Sequence, residues 1–103
     1  MTITTVEFAA AAGHQAALDE VLTQLAEGYR RVGTQVQLFR PVTGAMASYL
    51  AIFRFESLAA YAAWREALAQ DPGIRTALGA FRDHVERWDV AVYDEVRGVD
   101  GEA

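Results

Sequence analysis

Apolar and polar positions alternate, then recur at helical spacing, then alternate again along the chain. Thr2–Phe8 (TITTVEF) is rich in Thr, Ile and Val and predicts a first strand. Ala9–Gly13 ends it and turns the chain. From His14 the spacing changes: Leu18, Val21, Leu22, Leu25 and Tyr29 recur three and four apart, with Asp19, Glu20, Gln24 and Glu27 largely on the opposite side. That is an amphipathic helix. Arg30 and Arg31 sit late in it, Gly33 supplies a stop, and Gly28 inside it predicts a close approach to the sheet.

Val36–Arg40 predicts a short second strand, placed at a sheet edge because Pro41 cannot donate to a ladder. The loop Pro41–Met46 leads back into a third strand, Tyr49–Phe55, to form a hairpin. One side of that strand carries Tyr49, Ala51, Phe53 and Phe55, the other Ser48, Leu50, Ile52 and Arg54. Only Ser48 and Arg54 break its apolar character, so both faces call for cover. Ser57 is placed to cap a second helix whose inner stripe is Leu58, Tyr61, Trp64 or Arg65, and Leu68. Asp71–Pro72 is a restart, an N-cap followed by proline at the first helical position, and Ile74, Leu78, Phe81 and Val85 point inward beyond it. Trp88–Val96 closes the series as a fourth strand with Trp88, Val90 and Val92 on one face. Gly98–Ala103 reads as a frayed acidic tail.

The order strand, helix, strand, strand, helix, strand is that of an α+β, ferredoxin-like βαββαβ sandwich, one domain over residues 1–97. Its helices cover one face of a four-stranded antiparallel sheet. The other face carries too few charges to stay wet, which predicts that two sheets pack face to face across a two-fold axis.

Composition changes this picture mainly by exclusion. The 103 residues hold one core. The net charge of −5 argues against nucleic acid or an anionic membrane as partner. The absence of cysteine removes disulfides, thiol nucleophiles and thiolate metal sites. All nine basic residues are arginine, which with the abundant alanine suggests a high-GC coding bias. Met1 leads straight into a strand and no apolar run is long enough to span a bilayer, so a cytoplasmic protein is expected. No phosphate loop, nucleophile elbow, paired-carboxylate spacing or HExxH motif is present.

The segment FESLAAYAAWREALAQDPGIRTAL (Phe55–Leu78) resembles small NIPSNAP-type proteins of the dimeric α/β-barrel superfamily. The βαββαβ plan is more distantly similar to the antibiotic biosynthesis monooxygenase family. Because Ser57, Leu58 and Asp71–Pro72 cap and pack, the resemblance speaks to fold before activity. It implies a homodimer whose two sheets close a barrel, with a cleft in each subunit between sheet and helices. Relatives use that cleft for small molecules, in oxidation of aromatic polyketides without metal or flavin, lactone isomerisation or haem degradation. A place in bacterial secondary metabolism follows from the same likeness.

Candidate chemistry is sparse. His14 and His84 are the only histidines; His84, beside Asp83 and Glu86, reads as part of a solvated turn. His14 reads as a surface residue, with proton transfer as the functional alternative because family clefts open near this helix start. Arg40 and Arg54 interrupt apolar strands, where pairing with Glu7 or Asp89 competes with binding a carboxylate or enolate. Tyr49, Phe53, Phe55, Tyr61, Trp64, Trp88 and Tyr93 supply core and interface area, and Tyr61 and Trp64, three apart, are placed to line the cleft. The resulting expectation is a cofactor-independent oxygenase or cyclase acting on an aromatic or enolisable metabolite. His14 and Arg54 are its catalytic candidates, and Tyr49, Tyr61, Trp64, Arg40 and Arg65 its substrate contacts. No cofactor or metal is called for. The alternative is a ligand-binding or interaction module without turnover.

Overall fold

The structure is a computed structural model and describes residues 1–42 and 48–96. Most of the expected hairpin loop and the acidic tail lie outside the described residues. The elements run β1 (Thr2–Ala10), α1 (Gln15–Arg31), β2 (Val36–Phe39), β3 (Tyr49–Phe55), α2 (Leu58–Gln70), α3 (Pro72–His84) and β4 (Val85–Asp94). All strand pairs are antiparallel, in the order β2-β3-β1-β4. This is the α+β ferredoxin-like sandwich the alternation predicts. β2 is at an edge and hairpinned to β3, as Pro41 requires. β4 starts three residues before Trp88, since Val85 pairs with Ala10 and leaves the helix at His84.

Register fixes which side chains share a face. Phe8 lies opposite Tyr49 and Trp88, Val6 opposite Ala51 and Val90, and Thr4 opposite Phe53 and Val92. These point toward the helices. Ile3, Thr5, Glu7, Leu50, Ile52 and Arg54 share the other side, with Tyr93 and Asp89 from β4. The helices cover only part of their face: Trp88, Val90 and Val92 are 48%, 52% and 43% exposed. The opposite face is more mixed than expected, because Glu7, Asp89 and Arg54 interleave with its apolar residues.

Helix boundaries follow the caps. Ser57 Oγ accepts from the Ala60 N–H at 3.1 Å, and Asp71 Oδ1 accepts from the Ile74 N–H at 2.9 Å. The Ile74 amide first, and then the Arg31 guanidinium 3.3 Å away, hold the Asp71 carboxyl below the usual carboxylate range. Gly33 takes φ 81° and closes α1. α2 has no fully buried residue; Trp64 and Leu68 are half-buried, whereas Leu58, expected inside, is exposed, as is Arg65. The stripe therefore runs through Trp64. α2 lies largely on the periphery and α1 and α3 supply the main apolar cover of the sheet.

Gly28 serves a different contact from the one its position suggests. It admits α3 rather than the sheet, since a Cβ there would stand 2.7 Å from Ile74 Cγ1. Ile74 is almost wholly buried, so it has little room to yield. Gly28→Ala is expected to lower stability in urea denaturation by about 1–2 kcal/mol, overpacking outweighing helix propensity. Gly79, in α3, has nothing within 4 Å of its would-be Cβ. Gly79→Ala should therefore raise stability by about 0.5–1 kcal/mol in the same assay.

Candidate functional site

A cavity of about 210 Å³ lies between the helix-side face of the sheet and the pair α1–α3. Val6, Phe8, Ala51 and Phe53 form its floor, and Leu22, Leu25 and Tyr29 of α1 one wall. Leu78 and Phe81 of α3 form the other, and Leu38, Trp88 and Val90 lie on the edge strands. The floor is built by stacking: Phe8 lies flat on Tyr49 (centroids 5.2 Å, planes 6° apart) and meets Phe81 edge-on at 5.0 Å. Arg82 is the one charged side chain of the lining, and it forms no ion pair among the described residues. Arg82 follows Leu78 by four on α3, which sets both on one helix face. Sequence reading passes Arg82 over, and that spacing is the signal that could have found it.

Tyr29 adds a hydroxyl to the lining. It meets Phe53 edge-on at 5.1 Å, and burial pushes its phenol up to about 12. At neutral pH it is a hydroxyl, not a base.

The expected site residues lie elsewhere, in four places. Tyr49 and Arg40 come together through Asp19: the Tyr49 hydroxyl donates to Oδ1 at 3.2 Å and Arg40 reaches Oδ2 at 3.2 Å, beside a shallow groove. Burial first, then the Asp19 carboxylate, raises the Tyr49 pKa, and Arg40 partly opposes this. Arg54 hydrogen-bonds Gln37. Arg40 and Arg54 thus find Asp19 and Gln37 instead of Glu7 or Asp89. The reason is geometric: Arg54 and Gln37 project from adjacent strands on one face, while Arg40, just past β2, reaches over to α1.

Trp64 joins an aromatic cluster with Tyr29, Phe53, Phe55 and Tyr61, and its Nε1–H has no partner among the described residues. Tyr61 and Arg65 border an outer groove on α2, not the cavity. His14 and His84, read from sequence as a surface residue and a solvated turn, face each other with Nδ1 atoms 2.9 Å apart. The two ends of α1 and α3 that carry them meet in space, a long-range fact that local spacing does not encode. None of these seven expected contacts, nor His84, borders the cavity.

The NIPSNAP family profile matches residues 10–97. The chain belongs to the NIPSNAP family. An uncharacterized NIPSNAP domain protein from Burkholderia xenovorans superposes with a TM-score of 0.78 at 15% identity, over 95% of this chain and 97% of that one. A NIPSNAP family protein of unknown function from Agrobacterium tumefaciens gives 0.74 at 22% identity, over 95% and 90%. A putative antibiotic biosynthesis monooxygenase from Nitrosomonas europaea gives 0.72 at 15% identity, over 93% and 99%. At these identities the structural likeness establishes the fold. No curated protein matches the sequence. No helix among the described residues of this NIPSNAP chain is long and apolar enough to cross a membrane.

Tyr29 makes its burial testable by pH. Its folded pKa lies above the ordinary 10.0, so the stabilisation is complete below pH 10 and is lost as pH rises through about 12. By pH 11.5 the wild-type chain is expected to lose about 2 kcal/mol through this group. Urea denaturation of Tyr29→Phe between pH 8.5 and 11.5 should show a correspondingly shallower decline.

Proposed function

We propose that this NIPSNAP chain binds a small, flat, largely apolar metabolite in the sheet–helix cavity and turns it over without a cofactor, on an aromatic or enolisable substrate. The observation that carries the reading is the cavity itself: about 210 Å³ of apolar space beside a single guanidinium. A cavity near 150 Å³ accepts benzene, so this one suits a molecule of about one or two rings. Arg82 favours a ligand whose polar end is a carboxylate, phenolate or enolate. Among the described residues no carboxylate or imidazole lines the cavity, so the substrate must bring its own acidity. Arg82 then stabilises the anion, and the apolar walls keep bulk water from quenching it. Similarity to proteins described as putative antibiotic biosynthesis monooxygenases supports oxygen as the co-reactant. The same lack of a base in the lining favours the second reading, a binding module without turnover.

2-Naphthoate and the neutral 2-naphthalenemethanol separate these features. Calorimetry, or quenching of Trp88 fluorescence at the rim, should show the acid binding about 5- to 10-fold more tightly than the alcohol. Arg82→Gln should level the two, and equal affinities in the wild type would remove Arg82 from the site. Oxygen uptake with small naphthols above the no-protein rate then separates turnover from binding alone.

The working unit we propose is a homodimer joined through the open sheet faces, in the cytoplasm. Ile3, Leu50 and Ile52 give this face an apolar centre. Glu7 and Asp89 lie directly opposite each other on it, and neither is in an ion pair among the described residues. Like charges so placed repel, and arginines of a second copy, such as the partner's Arg54, would relieve them. Sedimentation should give twice the 11.3 kDa chain mass, and Ile52→Glu should return the single-chain value with the fold retained by circular dichroism.

A further inference from the structure

Arg75, Gly79 and Arg82 follow one another at spacings of four and three on α3, so they form a single stripe along the helix. Both arginines are exposed, and neither is in an ion pair among the described residues. Counterions are not scarce in a chain with 14 acidic residues against nine basic ones. Yet with Ala69, Pro72, Thr76 and Leu78 the two arginines line a shallow groove that holds no carboxylate. Asp71, before the stripe, is taken up by the Ile74 N–H and Arg31, and Asp83, after it, does not border the groove. The other arginine grooves differ. Arg30 and Arg40 share theirs with Asp19 and Glu27, Arg65 shares its own with Glu66, and Arg54 is bonded to Gln37. Leu78 and Arg82 border both the acid-free groove and the apolar cavity, so the two spaces adjoin.

Seven residues of helix separate the two arginines by about 10.5 Å along the axis, with Gly79 about 6 Å beyond Arg75. Extended guanidinium side chains reach that intervening turn from both ends. A Cβ on Gly79 would meet nothing within 4 Å, so the space above it is open and the helix backbone can be approached closely there. Glycine at a helix interior costs about 1 kcal/mol, and no contact within the chain accounts for it at this position. Thr76, three residues before Gly79, adds a hydroxyl to the same groove. We infer, building on the cavity as a binding site, that this groove is a phosphate subsite and that the cavity's ligand is a phosphate ester. Its ring system lies in the cavity and its phosphate over Gly79, between Arg75 and Arg82, with the Thr76 hydroxyl donating to it. Two guanidiniums arriving from opposite ends, with a hydroxyl to one side, suit the several oxygens of a tetrahedral dianion better than the two of a planar carboxylate. Arg82 stands at the junction, and its planar fork has donors enough for the ring's own oxyanion on one edge and the phosphate on another.

2-Naphthyl phosphate and 2-naphthoate are compared by calorimetry at low salt, where exposed charges are least screened. The phosphate should bind about 10-fold more tightly than the carboxylate, and Arg75→Gln should reduce that ratio to about two. Gly79→Leu, which fills the place assigned to the phosphate, should reduce it as far; its Cβ meets no neighbour, so circular dichroism should be unchanged. Equal affinities in the wild type, or a ratio that survives both folded variants, overturns the subsite. Inorganic pyrophosphate tests the groove without the cavity, and should bind saturably at about 1 mM and about fivefold more weakly to Arg75→Gln. Pyrophosphate bound in this way by a protein that ignores 2-naphthoate upholds the phosphate subsite and removes the cavity reading. Naphthoate bound by a protein that ignores pyrophosphate removes the subsite and leaves the cavity.

Discussion

Phe8 ties the layers of this domain together. Its ring lies flat against Tyr49 of β3 and takes Phe81 of α3 edge-on, while its backbone pairs with Trp88 of β4. One side chain at 1% exposure therefore joins both neighbouring strands to the helix that crosses them, and also forms part of the cavity floor. Burying a ring of this size is worth about 1.5–3 kcal/mol from area alone, with edge and stacking contacts adding to it. The position of Arg82 depends on the same contact. Phe81 anchors α3 against the sheet, and the next residue is thereby held at the cavity.

The helices leave two kinds of surface behind. On their own side of the sheet they stop short of β4, so Trp88 and Val90 border the cavity and remain open to solvent. On the far side no described element covers the sheet, and its apolar centre is bordered by charge. A face that was wholly apolar would associate with little selectivity. Interleaved Glu7, Asp89 and Arg54 restrict which surfaces can approach it, since each wrong register sets like charges together. The face is thus more mixed than the β3 pattern, broken only at Ser48 and Arg54, suggests.

Sequence spacing revealed the layers because strand and helix periodicities report local burial. Tyr49, Ala51 and Phe53 alternate inward, and Leu18, Val21, Leu22 and Leu25 recur along α1. Ser57 and Asp71 cap where their side chains reach the next turn, a contact within three residues. Gly28 was legible as a close approach but not as an approach to α3, because its contact with Ile74 depends on how two helices cross. The arginines show the same limit. A charge in a strand announces that it needs a partner, yet Asp19 and Gln37 were chosen by tertiary reach.

The candidate site was harder to read because a cavity is defined by where packing is incomplete. Aromatic and aliphatic residues look alike in sequence whether they fill a core or surround a void, so Tyr61 and Trp64 drew attention for their chemistry while Tyr29 passed as an ordinary helix position. In the fold, Trp64 is occupied by four aromatic neighbours and cannot also serve a ligand without giving up those contacts. Among the described residues Arg82 has no such competing partner. In an apolar surround a charge with no internal counterion is costly to cover, so it must stay near solvent or meet an anion that arrives with the ligand. That asymmetry, more than the identity of any one side chain, separates binding groups from packing groups in this domain.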